Sequence, residues 1–460
     1  MNATQRLGAF LARHADSALA PPVASKAAIC LIDALGLAIV ARDEPTAAAA
    51  RALATPVGEG AGTARIWADG SRAALAEAVL ANGVAVHAHF QDDTEHESWS
   101  HPGSLVPPVS IALGEALGQS LADVLRATVA GYATMKWLGA GEIVARALIG
   151  RGIRTSPTLG TIGAAAAAAV ALRLDAAKAA SAVAIAANTT GGTLEPVRCG
   201  SDEWRVQNGR AAQGGLTAAR LAAQGVVGAP DALEGAKGFL RALAGLTETP
   251  PHWARDPDPA MMAEVNAKPF ATLGDNMAAV IAARVVHRDG IDLAQARRIT
   301  VRIWRPYSEY PGTSFKGPFE RTVQTQASTA FAVAAMLVYG ELDYAMGVNN
   351  RRDPRILALI ETITVVPDDE GGPMDATVAV ELADGRVHQR SAADSTETLI
   401  FQDEPRATDV FEQRLVGAGR PAGLGQALAA DIFASVRDGG GMPIRTVIDR
   451  LQSGAKGEHA

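Results

Sequence analysis

Apolar residues recur at helical spacing through most of the first half of the chain. Pro21-Pro22 opens VASKAAICLIDALGLAIVA, an amphipathic-to-apolar helix in which Gly36 invites close approach of another backbone. Helices are predicted at 73–86, 106–117 and through 120–146, where Gly118 is a stop and Ser120 with Asp123 a capping box. The same periodicity continues at 157–172, 176–187, 210–224 and 236–243. The pattern changes near Pro250. DPDPAMM (256–262) reads as a linker, and alternating β-branched runs then predict strands at 299–304, 363–367 and 376–382. An Asp384-Gly385 turn leads into a fourth strand at 387–390, and helices at 277–286 and 325–339 are interspersed. Residues 403–452 are helical again. The fold class is therefore mainly α with an α+β second domain: an all-helical domain over 1–262, a smaller α+β domain over 263–402, and a helical return over 403–460.

Composition narrows the function classes. The chain has 460 residues, 48% of them hydrophobic, which is enough for a large buried core and rules out a disordered or fibrous protein. Lys plus Arg number 42 against 49 Asp plus Glu, a net charge of −7, so no basic excess attracts nucleic acid or an anionic membrane. Aromatics at 5% offer few base-stacking platforms. Two cysteines, Cys30 and Cys199, exclude a disulfide framework and a Cys-rich metal cluster. Arg6 and Arg13 bracket an apolar run too short for a signal peptide, and 163–172 falls well short of a bilayer. A soluble, cytoplasmic protein is expected.

Chemistry concentrates in NGVAVHAHFQDDTEHESWSHPGSLVPP, residues 82–108. Four histidines (His87, His89, His96, His101), Asp92, Asp93, Thr94, Glu95 and Glu97 share one polar loop between helices, a set suited to acid–base work or metal binding. Zinc would call for two histidines at i, i+4 and a third ligand, whereas His87 and His89 are i, i+2, so no metal site is assigned. The plainer alternative is a helix end capped by Asp93 and Thr94 with solvated histidines. Gly191-Gly192 and Gly214-Gly215 lack a preceding strand and phosphate-loop spacing, and are read as helix ends and close packing.

The order NG, HA, DDT and HPGS, followed by an apolar helix with Gly131-Tyr132, resembles the MmgE/PrpD family. The likeness continues in Thr158-Leu159-Gly160-Thr161, Gly209-Arg210-Ala211-Ala212, Leu233-Glu234-Gly235 with Gly238-Phe239, Lys268-Pro269-Phe270 and QTQASTAFAVAAML, over roughly residues 5–450. Members of that family include 2-methylcitrate dehydratase, cis-aconitate decarboxylase and iminodisuccinate epimerase. The resemblance implies a cofactor-independent enzyme for small di- or tricarboxylates, with a helical domain, an α+β lid, a cleft site between them and a homodimeric assembly. It implies proton abstraction next to a carboxylate, followed by loss of water or carbon dioxide, or by re-protonation. A hydro-lyase of the 2-methylcitrate dehydratase kind is the leading reading. A dicarboxylate isomerase or epimerase is the alternative, and an inactive carboxylate-binding or interaction protein is the third. No cofactor, nucleic acid or membrane is expected as partner, only a small anionic carboxylate.

Carried over residue by residue, the resemblance makes His101 the active-site histidine, Thr94 a substrate-contacting threonine and Lys268 the lysine at the domain junction. The chain departs from the family elsewhere. Phe90 stands where the family has its catalytic aspartate, Arg154 where it has a second histidine, Trp204 (with Arg205 adjacent) at a lysine position, and Phe331 at a tyrosine position. Arg154 and Arg205 retain cationic charge and are expected to bind substrate carboxylate, as arginine does in bidentate fashion. With the usual aspartate gone, Asp92 or Asp93 is the candidate base, Asp93 being the one selected. The competing reading makes Arg154 and Arg205 members of ion pairs with Asp202, Glu203 or Glu195, and Trp204 a packing residue.

Overall fold

The computed structural model describes residues 1–60, 62–396 and 403–453. The chain forms two compact units, one of Met1–Thr193, Arg205–Asn266 and Ile400–Ala460, the other of Leu194–Trp204 and Ala267–Leu399. The sequence-based domain end at 402 lies outside the described residues.

The first unit is helical, and its abundance of Ala and Gly has a packing reason. Helix Thr155–Ala171 is buried at every position and lies against Leu121–Gly139, Ala176–Thr189 and Ala3–His14. A Cβ on Gly131 would sit 2.9 Å from the Gly163 carbonyl, and one on Gly163 3.1 Å from the Gly131 carbonyl. Only small residues let backbones meet so closely. Gly215 packs the same way on Thr161 and Ala164, in keeping with the close-packing role expected of the Gly214-Gly215 pair. The Ser120–Asp123 capping box and the left-handed Gly118 stop are both present.

By length and composition alone helix Pro21–Val40 is apolar enough to cross a membrane, yet 83% of its apolar window is buried inside the unit. It packs on Glu404–Gly417, Leu75–Ala88 and Leu424–Arg437, so the C-terminal helices cover it. Its two charged residues are also partnered inside: Lys26 donates to the Val265 carbonyl at 2.8 Å, and Asp33 accepts from Arg414 at 2.6 Å. Gly36 makes room for the side chains of Phe411 and Arg414, not for another backbone.

Other departures have local causes. A small antiparallel hairpin, β1 (Thr63–Arg65) with β2 (Arg72–Ala74), precedes helix Leu75–Ala88; three-residue strands are too short to show alternation. The helix expected from 210 begins at Glu203, because polar EWRVQN carries the buried Trp204, Arg205 and Asn208. At 236–243 the helical stretch is a π-turn, Leu240–Ala244. The supposed linker contains a 3₁₀ turn, Pro259–Glu264, that buries Met262 and docks on helix Leu121–Gly139.

The second unit is α+β. Four strands, β3 (Ala296–Trp304), β4 (Ile363–Asp368), β5 (Ala376–Leu382) and β6 (Val387–Ser391), form a sheet in the order β4-β3-β5-β6. β3 pairs parallel with β4 and antiparallel with β5, and β5–β6 is the hairpin turned by Asp384-Gly385. Ile299, Val301 and Ile303 align with Val378 and Val380 as one buried row facing helix Met277–Arg288. The helix expected over 325–339 is interrupted at Ser328, whose hydroxyl accepts from Phe331 N–H and starts Thr329–Tyr339 afresh.

Candidate active site

The polar loop begins where helix Leu75–Ala88 ends. Its placement depends on two Asn-Gly pairs. Gly83 and Gly209 face each other, a Cβ on Gly83 falling 2.9 Å from the Gly209 Cα, so two helices cross in backbone contact. Asn82 accepts from Trp67 N–H and donates to the Arg65 carbonyl, both at 2.9 Å, tying the helix to the β1–β2 hairpin. Asn208 donates to Ser104 Oγ at 2.8 Å, and Ser104 in turn donates to the His101 carbonyl at 3.1 Å.

Beyond the helix the loop is held on both sides. Thr94 and Asn266 exchange backbone hydrogen bonds at 2.8 Å, and Glu95 and Ser100 pair across a small turn. Lys136 clamps that turn, contacting Glu95 at 2.9 Å, Glu264 at 2.8 Å and Glu97 at 3.5 Å. Burial pushes the Glu95 carboxyl up, but the Lys136 ammonium and the Ser98 N–H outweigh it and hold the group below the usual carboxylate range.

Three of the loop's four histidines are not solvated. His87, His89 and His101 are buried, which removes the plain-loop alternative for them. Burial, with the Arg205 and Arg414 charges, pulls His89 down to about 3, so it is neutral. His101 Nδ1 lies 3.1 Å from the Asp93 carbonyl and 3.1 Å from Thr94 Oγ1, and its backbone N–H donates to Ser156 Oγ at 3.2 Å. A carbonyl only accepts, so Nδ1 carries a proton, and in the neutral form of the ring Nε2 is the basic nitrogen.

Three rings pack mutually: His87 to His101 at 5.5 Å between centroids, His87 to Phe90 at 5.3 Å and Phe90 to His101 at 5.4 Å. Phe90 adopts φ 58°, a left-handed conformation that costs a bulky residue roughly 1–3 kcal/mol. Backbone strain of that kind concentrates at functional sites, and here it turns the aromatic ring onto both imidazoles.

Sequence reasoning gave His87 and Tyr132 no individual role and Asp92 only that of an alternative base. His87 Nδ1 is 2.8 Å from Asp92 Oδ2, and its Nε2 is 2.6 Å from Arg154 Nη2. Arg154 also donates to Gln207 Oε1 at 3.1 Å and is the residue immediately before helix Thr155–Ala171. Arg205 sits deeper, donating to the Ala88 carbonyl at 2.9 Å and pairing with Glu44 at 3.4 Å. Its shown ion-pair partner thus comes from far away in sequence, whereas exposed Glu195 pairs with Arg198.

The Asp93 carboxyl faces inward. It accepts from Gly103 N–H at 2.6 Å and Tyr132 OH at 2.7 Å, and lies beside Cys30, Asp33 and Asp92. Burial pushes it up to about 7, the neighbouring carboxylates adding to that and the two donors opposing it. The buried Cys30 thiol is pushed up in the same way. Native Asp93 therefore holds a proton that the unfolded chain releases at ordinary carboxylate pH. Its stability contribution is complete at acid pH and is lost as pH rises through about 7. In Asp93→Asn, which keeps an acceptor for Gly103, the wild-type-minus-variant difference in unfolding free energy is expected to fall as pH rises toward about 7. Urea melts across that range check the slope.

Asp93, Thr94, His101 and, through His87, Arg154 therefore converge. Lys268 belongs to the second unit, where it is buried and its charge pulls downward on Asp275, a carboxyl that burial raises to about 7. Trp204 is fully buried, and Phe331 packs edge-on against Phe319 at 5.1 Å. Among the described residues, no three His, Cys, Asp or Glu side chains form a group that could hold a metal ion.

Comparison with known proteins bears on this constellation. A cis-aconitate decarboxylase-like protein of Aspergillus oryzae is 29% identical over 336 residues, covering 67% of this chain and 69% of that protein. The model of the MmgE/PrpD N-terminal domain matches residues 5–251, a span that holds the whole loop and the residues converging on His101. More than half of the sequence thus fits one family's domain, and the chain belongs to the MmgE/PrpD family.

Proposed function

We propose that the protein is a cofactor-independent lyase that removes a proton next to a carboxylate of a small di- or tricarboxylate and expels water. The observation that carries this reading is the buried His101 ring with its Nδ1 proton fixed on the Asp93 carbonyl, which makes Nε2 a directed base. The C–H bond breaks toward Nε2, and negative charge accumulates on the adjacent carboxylate. That electron pair then forms the carbon–carbon double bond as the neighbouring C–O bond breaks, and the leaving oxygen takes the proton back from Nε2 to depart as water. Arg154 and the positive end of helix Thr155–Ala171 stand one ring away to stabilise that charge. Asp93, assigned as a base from sequence, here acts through His101: its carbonyl orients the ring while its carboxyl locks the turn at Gly103. Lys268 enters the proposal from the family resemblance and Arg205 as a buried charge behind the loop. The decarboxylase-like name of the Aspergillus oryzae relative supports chemistry at a carboxylate carbon in general.

Incubation with citrate, 2-methylcitrate, cis-aconitate and iminodisuccinate, with products read by nuclear magnetic resonance, tests the reaction class. An alkene product with loss of water supports the dehydratase. Release of carbon dioxide or epimer alone replaces it by the decarboxylase or epimerase. Thermal stabilisation by an acid that is never turned over sinks the enzymatic reading in favour of a binding protein.

A further inference from the structure

We infer that the helical unit carries a second small-molecule site, a cleft that holds an α-amino acid with an apolar side chain. The cleft, of about 820 Å³, lies between the end of helix Ala176–Thr189 and the turns of residues 226–243, all within the first unit. That volume falls in the range of roughly 300–1,000 Å³ typical of small-molecule sites. None of the residues assigned above to the reaction lines it. Its walls are apolar, with Ile185, Phe239 and Leu243 inside. Val226 and Val227 also line it and stay 45% and 85% exposed, apolar surface that a ligand takes out of water.

The frame of the cleft is fixed before any ligand arrives. Gly235 N–H donates to the Asp231 carbonyl at 2.7 Å, Gly238 N–H to the Gly235 carbonyl at 2.8 Å and Phe239 N–H to the Ala232 carbonyl at 2.8 Å. Gly228 lies so close to helix Ala176–Thr189 that a Cβ on it would fall 2.5 Å from that of Ala184. Leu233 N–H donates to Thr4 Oγ1 at 3.1 Å, and Glu234 accepts from Ala3 N–H and Thr4, which ties the turn to helix Ala3–His14. A ligand thus meets a shape it does not have to order.

Charge gives the ligand class. Helix Ala176–Thr189 brings its C-terminal end to the cleft through Ala187 and Asn188, and its last turn carries no basic residue. The end carbonyls therefore present the negative pole of the helix dipole, and Asp231 adds a carboxylate. Lys237 is the single cation among the lining residues. Asp231 and Lys237 share the cleft without forming an ion pair with each other. A fatty acid entering here is repelled by Asp231 and the helix end, and an alkylamine by Lys237. A zwitterion satisfies both signs, its ammonium toward Asp231 and its carboxylate toward Lys237. The apolar walls then select an amino acid whose side chain is itself apolar, such as leucine or phenylalanine.

Ligand-observed nuclear magnetic resonance titrations of the full-length protein with L-leucine and L-phenylalanine test the inference. Glycine, 4-methylpentanoate and 3-methylbutylamine serve as comparators that lack the side chain, the ammonium and the carboxylate in turn. At least one of the two amino acids is expected to bind, and each comparator at least about tenfold more weakly. Lys237→Met and Asp231→Asn change exposed side chains and are expected to melt as wild type does. Each is expected to raise the Kd by roughly tenfold. Ala236→Trp, an exposed lining position, fills the cleft and is expected to abolish binding. Failure of both amino acids to bind at millimolar concentration overturns the inference, as does a comparator that binds equally well. Binding untouched by all three variants places the ligand elsewhere and overturns it too.

Discussion

His101→Ala is expected to lower kcat by roughly 10²–10⁴-fold, the range lost when a positioned general base is removed. The argument is geometric. The imidazole is buried, its Nδ1 is held by the Asp93 carbonyl and Thr94 at 3.1 Å each, and its orientation is fixed by edge-on contact with Phe90 at 5.4 Å. His101→Asn separates base from scaffold. Its amide nitrogen takes the place of Nδ1 and keeps the bond to the Asp93 carbonyl, but nothing takes the place of Nε2. The two variants should therefore be equally slow, while His101→Asn melts close to wild type. An active His101→Asn would show that the ring only supports the loop.

The largest stability effect is expected at Lys136. Its ammonium is nearly buried beside Glu95, whose side chain is 3% exposed, and also reaches Glu264 at 2.8 Å. Breaking a buried ion pair on one side leaves an uncompensated charge and costs about 3–5 kcal/mol, so Lys136→Met should lose that much at neutral pH. The sign of the pH dependence follows from Glu95. In wild type its carboxyl is held below the usual range, so its contribution is present at neutral pH and lost only as pH falls through that lowered value. Without Lys136, burial dominates and raises Glu95, so the variant regains relative stability on acidification. Urea melts at neutral and mildly acidic pH should show the gap narrowing, and Lys136→Met combined with Glu95→Gln should recover part of the loss. A pH-independent gap would mean that Lys136 contributes through its methylenes alone.

Much of the fold was legible because periodicity reports burial. Strand β5 matches its predicted limits, alternating buried and half-buried positions along 376–382. The capping box at Ser120 was visible for a similar reason: it is local, with donor and acceptor three residues apart. What escaped depends on distant partners. The turn Pro259–Glu264 looked like a linker because its anchors, Lys136 for Glu264 and Lys26 for Val265, lie far away in sequence. Helix Pro21–Val40 hides a lysine and an aspartate whose burial makes sense only beside Val265 and Arg414.

The candidate site shows the same division. Clustered histidines and carboxylates pointed to residues 82–108, and the family motifs pointed to His101 and Thr94. The direction of each side chain was not readable. Asp93 turns its carboxyl toward Tyr132 and its carbonyl toward His101, an assignment that depends on the backbone path after the left-handed Phe90. His87 meets Arg154 only because helix Thr155–Ala171 brings the arginine to it. A sequence signal did exist in the proximity of His87 and Asp92 across a helix end, but it acquires meaning only once the arginine is in place.

The central claim is that His101 Nε2 removes a proton next to a substrate carboxylate. Incubating wild type and His101→Asn with the carboxylate panel in deuterated water, and locating deuterium in recovered acid by nuclear magnetic resonance, tests it most directly. Deuterium at the carbon adjacent to a carboxylate with wild type, and its loss in a folded His101→Asn, is the predicted result. Equal exchange by both proteins, or undiminished turnover by a folded His101→Asn, would contradict it.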